Sequence, residues 1–327
     1  QTCALPISED AFAHLFNKKD LSQIQEAVLW KKYSVADGVF HRLGALLASG
    51  AVDGQGPSGL SKSLVDNYLN ADGTFINPKD EKYKDFNEMF KERDARLLVT
   101  VMHSGPDCKY RASSPTNKPM NVRAYDATGT EDEMKEKNED IVSPNLNGDG
   151  NSKSVTGFHI RLGIDTTYVD NESETVVVLF RYAEGLLCYA EAAEELDLCT
   201  DDVLNKTLKP LRERAGVTYV KPTKADPNFP FTGLSPVLQE IRRERRSELA
   251  LQGFRLDDLM RWAVAGTLKG QDGRGRGAYL GEDGVLYKSF SPKGRESLKL
   301  VLKDNDGWTD PLQQYLPQGY LFDLNRD

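Results

Sequence analysis

The spacing of apolar residues predicts that most of the chain is helical. Between Leu60 and Leu69, apolar side chains recur at i, i+4, i+5, i+8 and i+9, which places them on one face of a helix. Residues 10–48 are rich in Ala, Leu and aromatic residues and contain few helix breakers, so we expect helices there as well. Residues 81–102 predict another helix, which passes into an extended β-branched run at 97–102.

The strongest helix signals lie in the second half of the chain. Residues 175–196 begin with a short extended run and continue as a helix, and residues 204–216 predict a helix that ends at its final glycine. A third helix is expected in the segment that begins with Ser235 and Pro236 and ends with Gly253. Serine is favoured at the N-cap, proline at the first helical position and glycine beyond the end, so this pattern marks both termini.

Two stretches lack this periodic order. From about residue 103 to 174, Pro, Ser, Asn, Gly and charged residues dominate, and loops of such length are usually functional or disordered. Residues 266–327 are Gly-rich and irregular. The sequence therefore predicts a mainly α-helical unit over residues 8–327 with a long loop-rich insertion, and we expect residues 1–7 to be a non-native leader.

Composition and charge exclude two classes of protein. The 327 residues are enough for one large or two ordinary domains. A net charge of −8 and a pI near 5.3 argue against the broad basic surface that nucleic acid requires. No run of about 18 apolar residues is present, so no segment of the sequence is predicted to span a membrane.

The segment 241–262 is unusual because it holds six arginines in an acidic protein. On a 3.6-residue period, Arg245 and Glu248 interrupt the apolar stripe of their helix, and a buried charge must be paired. Glu184 and Glu191 share a face of the helix within 175–196. We therefore predict that the two helices pack together, with Glu184 or Glu191 bound to Arg245 or a neighbouring arginine.

The other arginines of this helix are expected near solvent. On the same period Arg242, Arg243 and Arg246 fall away from the apolar stripe, among Glu240 and Glu244. We interpret the arginines as structural groups and not as a ligand site.

Short motifs of catalytic or metal-binding type have weak support. The G-x-G-x-x-G pattern at 54–59 lacks a preceding strand and contains Pro57, so a turn is predicted. The polar run 145–156 resembles a calcium loop but has Thr156 where a bidentate glutamate is needed. The four histidines show no ligand spacing, and no nucleophile elbow is present. We predict no catalytic residue, no metal site and no cofactor, and leave a bound calcium ion open.

Five segments, in this order along the chain, resemble the signature of the SusD/RagB family. This family consists of outer-membrane nutrient-binding lipoproteins of Bacteroidetes-type bacteria, and the resemblance implies a SusD-like α-helical fold with tetratricopeptide-like helix packing. The segments are GLSKSLVDNYLNADG (59–73), FKERDARLLVTVMHSG (90–105), RYAEGLLCYAEA (181–192), LRERAG (211–216) and IRRERRSELALQGFRLDDLMRW (241–262).

The sequence departs from the family pattern at its start. Family members are usually longer and begin with a lipoprotein signal whose cysteine is lipidated, whereas Cys3 follows no apolar stretch. The N-terminal half of the family, with most of its tetratricopeptide-like helices, is largely missing. We therefore expect the chain to correspond to the C-terminal portion of such a protein, and its lipid anchor to be absent from this sequence.

Binding of a sugar needs aromatic faces for the C–H side of a pyranose and polar groups for its hydroxyls. Candidates for glycan binding are Tyr83, Tyr110 beside Arg111, Tyr125, and Trp308 in the irregular tail. The alternative for each aromatic is packing in a core or a loop, and the resemblance implies a region more than particular residues.

The resemblance implies a function outside catalysis. The expected function is binding of glycans or oligosaccharides at the cell surface, on the outer membrane, with delivery to a SusC-like TonB-dependent transporter. An alternative is a helical protein-interaction scaffold that closes the transporter without its own glycan affinity. An enzyme that acts on polysaccharide is a third possibility, and no nucleic acid partner is expected.

Overall fold

A computed structural model describes seven parts of the chain, namely residues 9–43, 59–103, 146, 154–164, 172–264, 276–290 and 292–311. The expected leader at 1–7 and most of the loop-rich insertion at 103–174 lie outside these residues. The mainly helical architecture expected from the sequence is confirmed. The helices are α1 (Glu9–Asn17), α2 (Lys62–Val65), α3 (Ala95–Thr100), α4 (Tyr182–Glu195), α5 (Asp201–Lys206), α6 (Leu208–Arg214), α7 (Pro236–Glu248), α8 (Arg255–Arg261), α9 (Val285–Lys288) and α10 (Pro292–Leu298).

The prediction that residues 10–48 are mostly helical is wrong for residues 18–42, and residues 44–48 lie outside the described residues. Helix α1 ends at Asn17, and the chain then forms strand β1 (Ala27–Lys31). This strand pairs antiparallel with β2 (Val177–Arg181), the short extended run expected ahead of α4. The partner strand is distant in sequence, so this tertiary pairing is invisible to a local helix pattern.

The extended run expected at 97–102 is also wrong, because α3 occupies most of it. The Asp94 side chain caps α3 by accepting a hydrogen bond from the Arg96 backbone N–H at 2.9 Å. The Thr100 hydroxyl donates a hydrogen bond to the Arg96 carbonyl at 2.7 Å. This bond to the preceding turn helps a β-branched residue to adopt the helical conformation. Two 3-10 helices, Glu81–Lys84 and Glu88–Phe90, precede α3 in place of one long helix.

The ends of α7 agree with the signals in the sequence. The Ser235 side chain accepts a hydrogen bond from the Leu238 backbone N–H at 3.0 Å, and Pro236 is the first helical residue. The helix ends at Glu248, and Gly253, at φ +91°, follows it after a short turn. Helices α3, α4 and α6 all pack against α7, which is therefore enclosed on several faces.

The acids of α7 form one buried row. Glu240, Glu244 and Glu248 are four residues apart, which places them on one face of the helix. They are 2%, 1% and 0% exposed, so each carboxylate needs a positively charged partner. The partners come from three other elements and are Arg96 of α3, Arg181 of β2, and Arg212 and Arg214 of α6.

Glu248 has more partners than any other acid of this row. Its Oε1 accepts a hydrogen bond from Arg181 Nη1 at 2.5 Å and another from Arg214. Its Oε2 accepts a hydrogen bond from Arg96. Burial raises the pKa of Glu248, but the charges of these three arginines outweigh burial and hold the pKa well below the usual range. The carboxylate is therefore ionised inside the protein.

The other two acids continue the row through shared arginines. Glu244 accepts from Arg96 Nη1 at 2.5 Å and from Arg212 Nε at 3.0 Å. Glu240 accepts from Arg212 Nη2 at 2.6 Å and from Arg243 Nε at 2.8 Å. Burial raises the pKa of Glu240, and the charges of the two arginines bring it below its ordinary value.

The row is closed by an acid at each end. At one end, Arg243 Nη2 lies 2.5 Å from Asp226. At the other end, Glu26 accepts from Arg181 Nη1 at 2.7 Å and also from Arg214. We call the linked set the ionic core. It consists of Arg96, Arg181, Arg212, Arg214, Arg243, Glu26, Asp94, Asp226, Glu240, Glu244 and Glu248.

The predicted packing of α4 against α7 is confirmed, and Glu191 pairs with a neighbour of Arg245, as one of the expected alternatives required. Glu191 lies 3.5 Å from Arg242, so α4 does supply a carboxylate to the arginine-rich helix. Arg245 pairs with Asp258 of α8, at 2.8 Å, and with neither glutamate of α4. Within the described residues Glu184 has no basic group at ion-pair distance. Burial raises the pKa of Glu184, against the opposing charge of Arg245.

The expectation that the other arginines of α7 lie near solvent was wrong for Arg242 and Arg243. Arg242 is 8% and Arg243 4% exposed, and Arg246 is half-buried. Hydrophobic periodicity cannot reveal a buried helix face made of ion pairs, because it treats every charged residue as solvent-facing.

Replacement of Glu248 by alanine tests the ionic core. Three arginines would lose a buried carboxylate, so we expect the free energy of unfolding to fall by about 3–5 kcal/mol. Urea unfolding followed by circular dichroism measures this difference. The matched control is Glu213→Ala on α6, whose side chain is 52% exposed and lies 3.9 Å from Lys209. That change should stay within about 0.5 kcal/mol, and equally small losses in both variants would contradict the assignment.

Candidate functional site

The described residues enclose a groove of about 760 Å³ beside α7. The groove is wide enough for several sugar rings, since ligand pockets typically measure about 300–1,000 Å³. Its walls are formed by some of the side chains in the segments 62–67, 76–84, 226–230 and 306–308, together with Arg243 and Arg246 of α7 and Arg276.

Trp308 supplies an aromatic wall of the groove and is held from several sides. It is 8% exposed, and the Tyr279 ring packs edge-on against it with centroids 5.2 Å apart. The Lys62 ammonium lies 4.6 Å from the centre of the indole ring, which is a cation–π contact. The Trp308 backbone N–H donates to Asp304 at 3.0 Å. One face of the indole is therefore covered by Lys62 in this structure.

A second part of the wall belongs to the ionic core. Asp226 and Arg243, which close one end of that core, both line the groove. The Phe229 ring lies 5.0 Å from the Arg243 guanidinium and is 8% exposed. Because these side chains are fixed by buried ion pairs, this wall is preorganised for a ligand.

Lys62 and Asp66 form an ion pair within the groove. The Asp66 carboxyl is partly buried, and its Oδ1 has no hydrogen-bond partner among the described residues. Burial raises the pKa of Asp66, although the charges of Lys62, Arg93 and Arg246 act in the opposite direction. This oxygen is itself buried, so the Asp66 carboxyl acts in the groove mainly through its ion pair with Lys62.

Arg246 differs from the other arginines of α7. Its Nη2 donates to the Ser63 hydroxyl at 2.8 Å. Within the described part of the chain, no carboxylate lies at ion-pair distance from its guanidinium. Burial lowers the pKa of Arg246, and the charge of Arg255 lowers it further. Arg246 therefore has N–H groups on the groove side that donate to no carboxylate of the described chain.

The charged residues along the groove include more cations than anions. Six basic and four acidic side chains line it, while the whole chain has a net charge of −8. The groove is thus more positive than the rest of the protein. The basic residues are Lys62, Lys79, Lys84, Arg243, Arg246 and Arg276, and the acidic ones are Asp66, Asp80, Asp226 and Asp306.

The residues predicted to bind glycans have different positions. Trp308 lines the groove. Tyr83 is 2% exposed and belongs to the largest hydrophobic cluster, where the Arg93 guanidinium lies 5.5 Å from its ring. Its ring presents no open face to a ligand. Tyr110, Arg111 and Tyr125 lie outside the described residues.

The sequence did not single out Lys62, Asp66 or Arg246 as groove residues. Lys62 and Asp66 are four residues apart, but Arg246 lies far along the chain from both, so no local spacing links it to them. One signal was present, since the segment 241–262 holds six arginines but four acids. At least some of these arginines therefore had to find partners elsewhere.

Two further features bear on chemistry and location. Among the described residues, no group of three or more His, Cys, Asp or Glu side chains is arranged to hold a metal ion. None of the described helices has the length and apolar character needed to cross a membrane.

Comparison with known families gives one extended match. The model of the SusD family matches residues 29–306 of this chain. No curated protein is significantly similar to the sequence.

Two solved structures from Bacteroides fragilis are similar in fold. One is that of a SusD-like carbohydrate binding protein, with a TM-score of 0.55 and 22% identity over 92% of this chain and 55% of the other. The second is that of a SusD-like protein, with a TM-score of 0.56 and 18% identity over 85% of this chain and 50% of the other. The present chain thus spans about half the length of each of these structures.

Arg243 and Arg246 of α7 both line the groove, and substitution of each one tests which of them stabilises the fold. Arg246→Gln removes a guanidinium without a carboxylate partner, so we expect the free energy of unfolding to change by no more than about 0.5 kcal/mol. Arg243→Gln leaves Asp226 and Glu240 short of positive charge, and a loss of about 3–5 kcal/mol is expected. Urea unfolding of both variants measures the difference. A loss in Arg246→Gln as large as in Arg243→Gln would mean that Arg246 supports the fold.

Proposed function

Because the chain belongs to the SusD family, we propose that it binds glycans or oligosaccharides in the groove beside α7, without catalysis. SusD-like proteins are carbohydrate-binding proteins and not enzymes. The observation that carries the proposal is the groove itself, which combines an aromatic wall at Trp308 with a ring of polar side chains.

The side chains of the groove match the chemistry of a sugar. Hydroxyl groups both donate and accept hydrogen bonds. Arg246 donates, and the exposed amide of Asn228 both donates and accepts. The Trp308 indole is 8% exposed, so it offers a small apolar edge for the C–H groups of a pyranose, and its face opens further only if Lys62 moves. No bond of the ligand has to be broken for this role.

The affinity of one site is expected to be modest. The groove is open, so that a ligand loses only part of its hydration on binding. The wall formed by Asp226 and Arg243 is already ordered by the ionic core, which limits the entropy lost when the ligand binds. We expect dissociation constants between about 1 μM and 1 mM for short oligosaccharides.

The proposed partner is a SusC-like TonB-dependent transporter on the outer membrane. In this role the chain acts at the cell surface and hands captured glycan to the transporter. The support for this step is membership of the family.

A second candidate function is protein contact without glycan affinity. The paired strands β1 and β2 carry Val28, Leu29, Leu179 and Phe180, which are 58%, 56%, 55% and 41% exposed. Apolar residues grouped on a surface often mark a protein contact. This surface favours a scaffold that covers the transporter, which is compatible with glycan binding at the groove but does not require it.

Isothermal titration with a panel of neutral and acidic oligosaccharides tests the proposed function. We expect at least one glycan to bind, and Asn228→Trp to weaken this binding about 10-fold or more, because the indole fills part of the groove. Asn228 is an exposed residue of the groove wall. The control is Thr232→Trp, which places the same side chain at an exposed position outside the groove.

The outcomes separate the two candidate functions. Binding that is lost in Asn228→Trp and retained in Thr232→Trp supports the groove as the glycan site. If no glycan of the panel binds while the protein still co-purifies with a SusC-like transporter, the scaffold function replaces glycan capture.

A further inference from the structure

The arginines of α7 fall into two groups by their partners. Arg242, Arg243 and Arg245 each have a carboxylate at ion-pair distance, at 3.5, 2.5 and 2.8 Å. Arg246 contacts the Ser63 hydroxyl. Among the described residues it has no carboxylate within ion-pair distance. Its guanidinium lines the groove, and its other N–H groups donate to no carboxylate of the described chain.

The surroundings of Arg246 add positive charge. The nearby guanidiniums of Arg255 and Arg243 oppose the charge of Arg246. In the described part of the chain, Arg255 also lacks a carboxylate at ion-pair distance and packs on Phe231, with its guanidinium 5.5 Å from the ring centre. Burial lowers the pKa of Arg255 to about 10. Arg246 and Arg255 therefore repel each other, and the acids that oppose this repulsion, Asp66 for Arg246 and Asp258 for Arg255, lie beyond ion-pair distance.

A partly buried guanidinium without a counter-charge is unfavourable, because it has lost water without gaining an ion pair. Evolved proteins usually place an acid beside such a group, as the ionic core does for its own five arginines. In the described chain Arg246 has only the more distant charge of Asp66, which is itself paired with Lys62, so an anionic group of a ligand would supply a direct ion pair. Guanidinium groups are well suited to carboxylate and sulfate, since two parallel N–H groups match two oxygens.

We propose that the groove selects carbohydrates that carry carboxylate or sulfate groups, with Arg246 as the residue that binds the anion. The inference rests on the proposed function of glycan binding and specifies the class of glycan. Lys79 lies exposed along the same groove, and no acid of the described chain lies at ion-pair distance from it, so it adds to the positive field at the entrance.

The negative net charge of the chain means that an acidic glycan can be attracted only by a local group of cations. At a net charge of −8 the protein repels polyanions as a whole. Tight binding of an acidic glycan therefore requires a local cationic site and cannot come from a general attraction. Four of the six basic residues of the groove are paired with carboxylates, so the cationic site consists of Arg246 and Lys79, for which the described chain has no carboxylate at ion-pair distance.

The test is calorimetric titration at fixed ionic strength with three ligands of similar length. Oligogalacturonate carries carboxylates, fragments of dextran sulfate carry sulfates, and dextran oligosaccharides are neutral. We expect at least one acidic ligand to bind about 10-fold or more tightly than the neutral one. The two acidic ligands, titrated separately, show whether carboxylate or sulfate is the preferred group.

Variants of Arg246 assign the anion to this residue. Arg246→Gln should weaken binding of the acidic ligand by about 10- to 100-fold, which is the range for loss of hydrogen bonds to a charged group. Arg246→Lys should give an intermediate loss, because it retains charge but not the paired N–H geometry. The control is Lys206→Gln, which removes one charge from the exposed side of α5 and should leave the affinity unchanged.

Several results would overturn the inference. Equal affinity for neutral and acidic ligands would refute selection by charge while leaving glycan binding intact. Acidic binding that survives in Arg246→Gln, in a variant shown to be folded by its thermal unfolding, would refute the role of Arg246. If none of the ligands and no glycan of the wider panel binds, the proposed function fails together with the inference.

Discussion

The structure depends on one buried carboxylate, that of Glu248, which binds guanidiniums from three different elements. Each of these elements is fixed relative to α7 by the requirement that no arginine be left without a negative partner. Arg181 of β2, Arg214 of α6 and Arg96 of α3 all bind this carboxylate, so the three elements meet at Glu248. Apolar contacts tolerate small shifts between helices, whereas paired N–H and carboxylate groups do not. Glu248 therefore determines how the segments are arranged.

The ionic core also connects the fold to the proposed binding site. Its last pair, Arg243 and Asp226, forms part of the groove wall. Arg246 lies one turn further along α7 and is held in the groove by the same helix. The site is thus built on a rigid element. Arg246 donates to Ser63 but has no carboxylate at ion-pair distance in the described chain, which makes it an exception among the arginines of α7. We regard this contrast between paired and unpaired arginines as the main functional feature of the described residues.

The sequence predicted the local features of this structure well and the long-range ones poorly. The start of α7 at Ser235 and Pro236 followed from capping preferences that act within one turn. The partners of the arginines did not, because Arg96 and Glu244 are 148 residues apart. Strand β1 was missed for the same reason, since its pairing lies far along the chain. Tyr83 was a reasonable candidate by composition, but only packing shows that it is buried.

The most direct test of this arrangement is a carbon-13 NMR titration of the Glu248 side-chain carboxyl, assigned by its loss in Glu248→Gln. Because the charges of the surrounding arginines depress the pKa of Glu248 in the folded protein, the stabilisation is present above the pKa of the unfolded chain, about 4.3. It is lost as the pH falls towards the lower folded value. The signal is predicted to remain that of an ionised carboxylate below about pH 4 for as long as the protein stays folded. Titration of the folded protein near the ordinary glutamate value would contradict the existence of the ionic core.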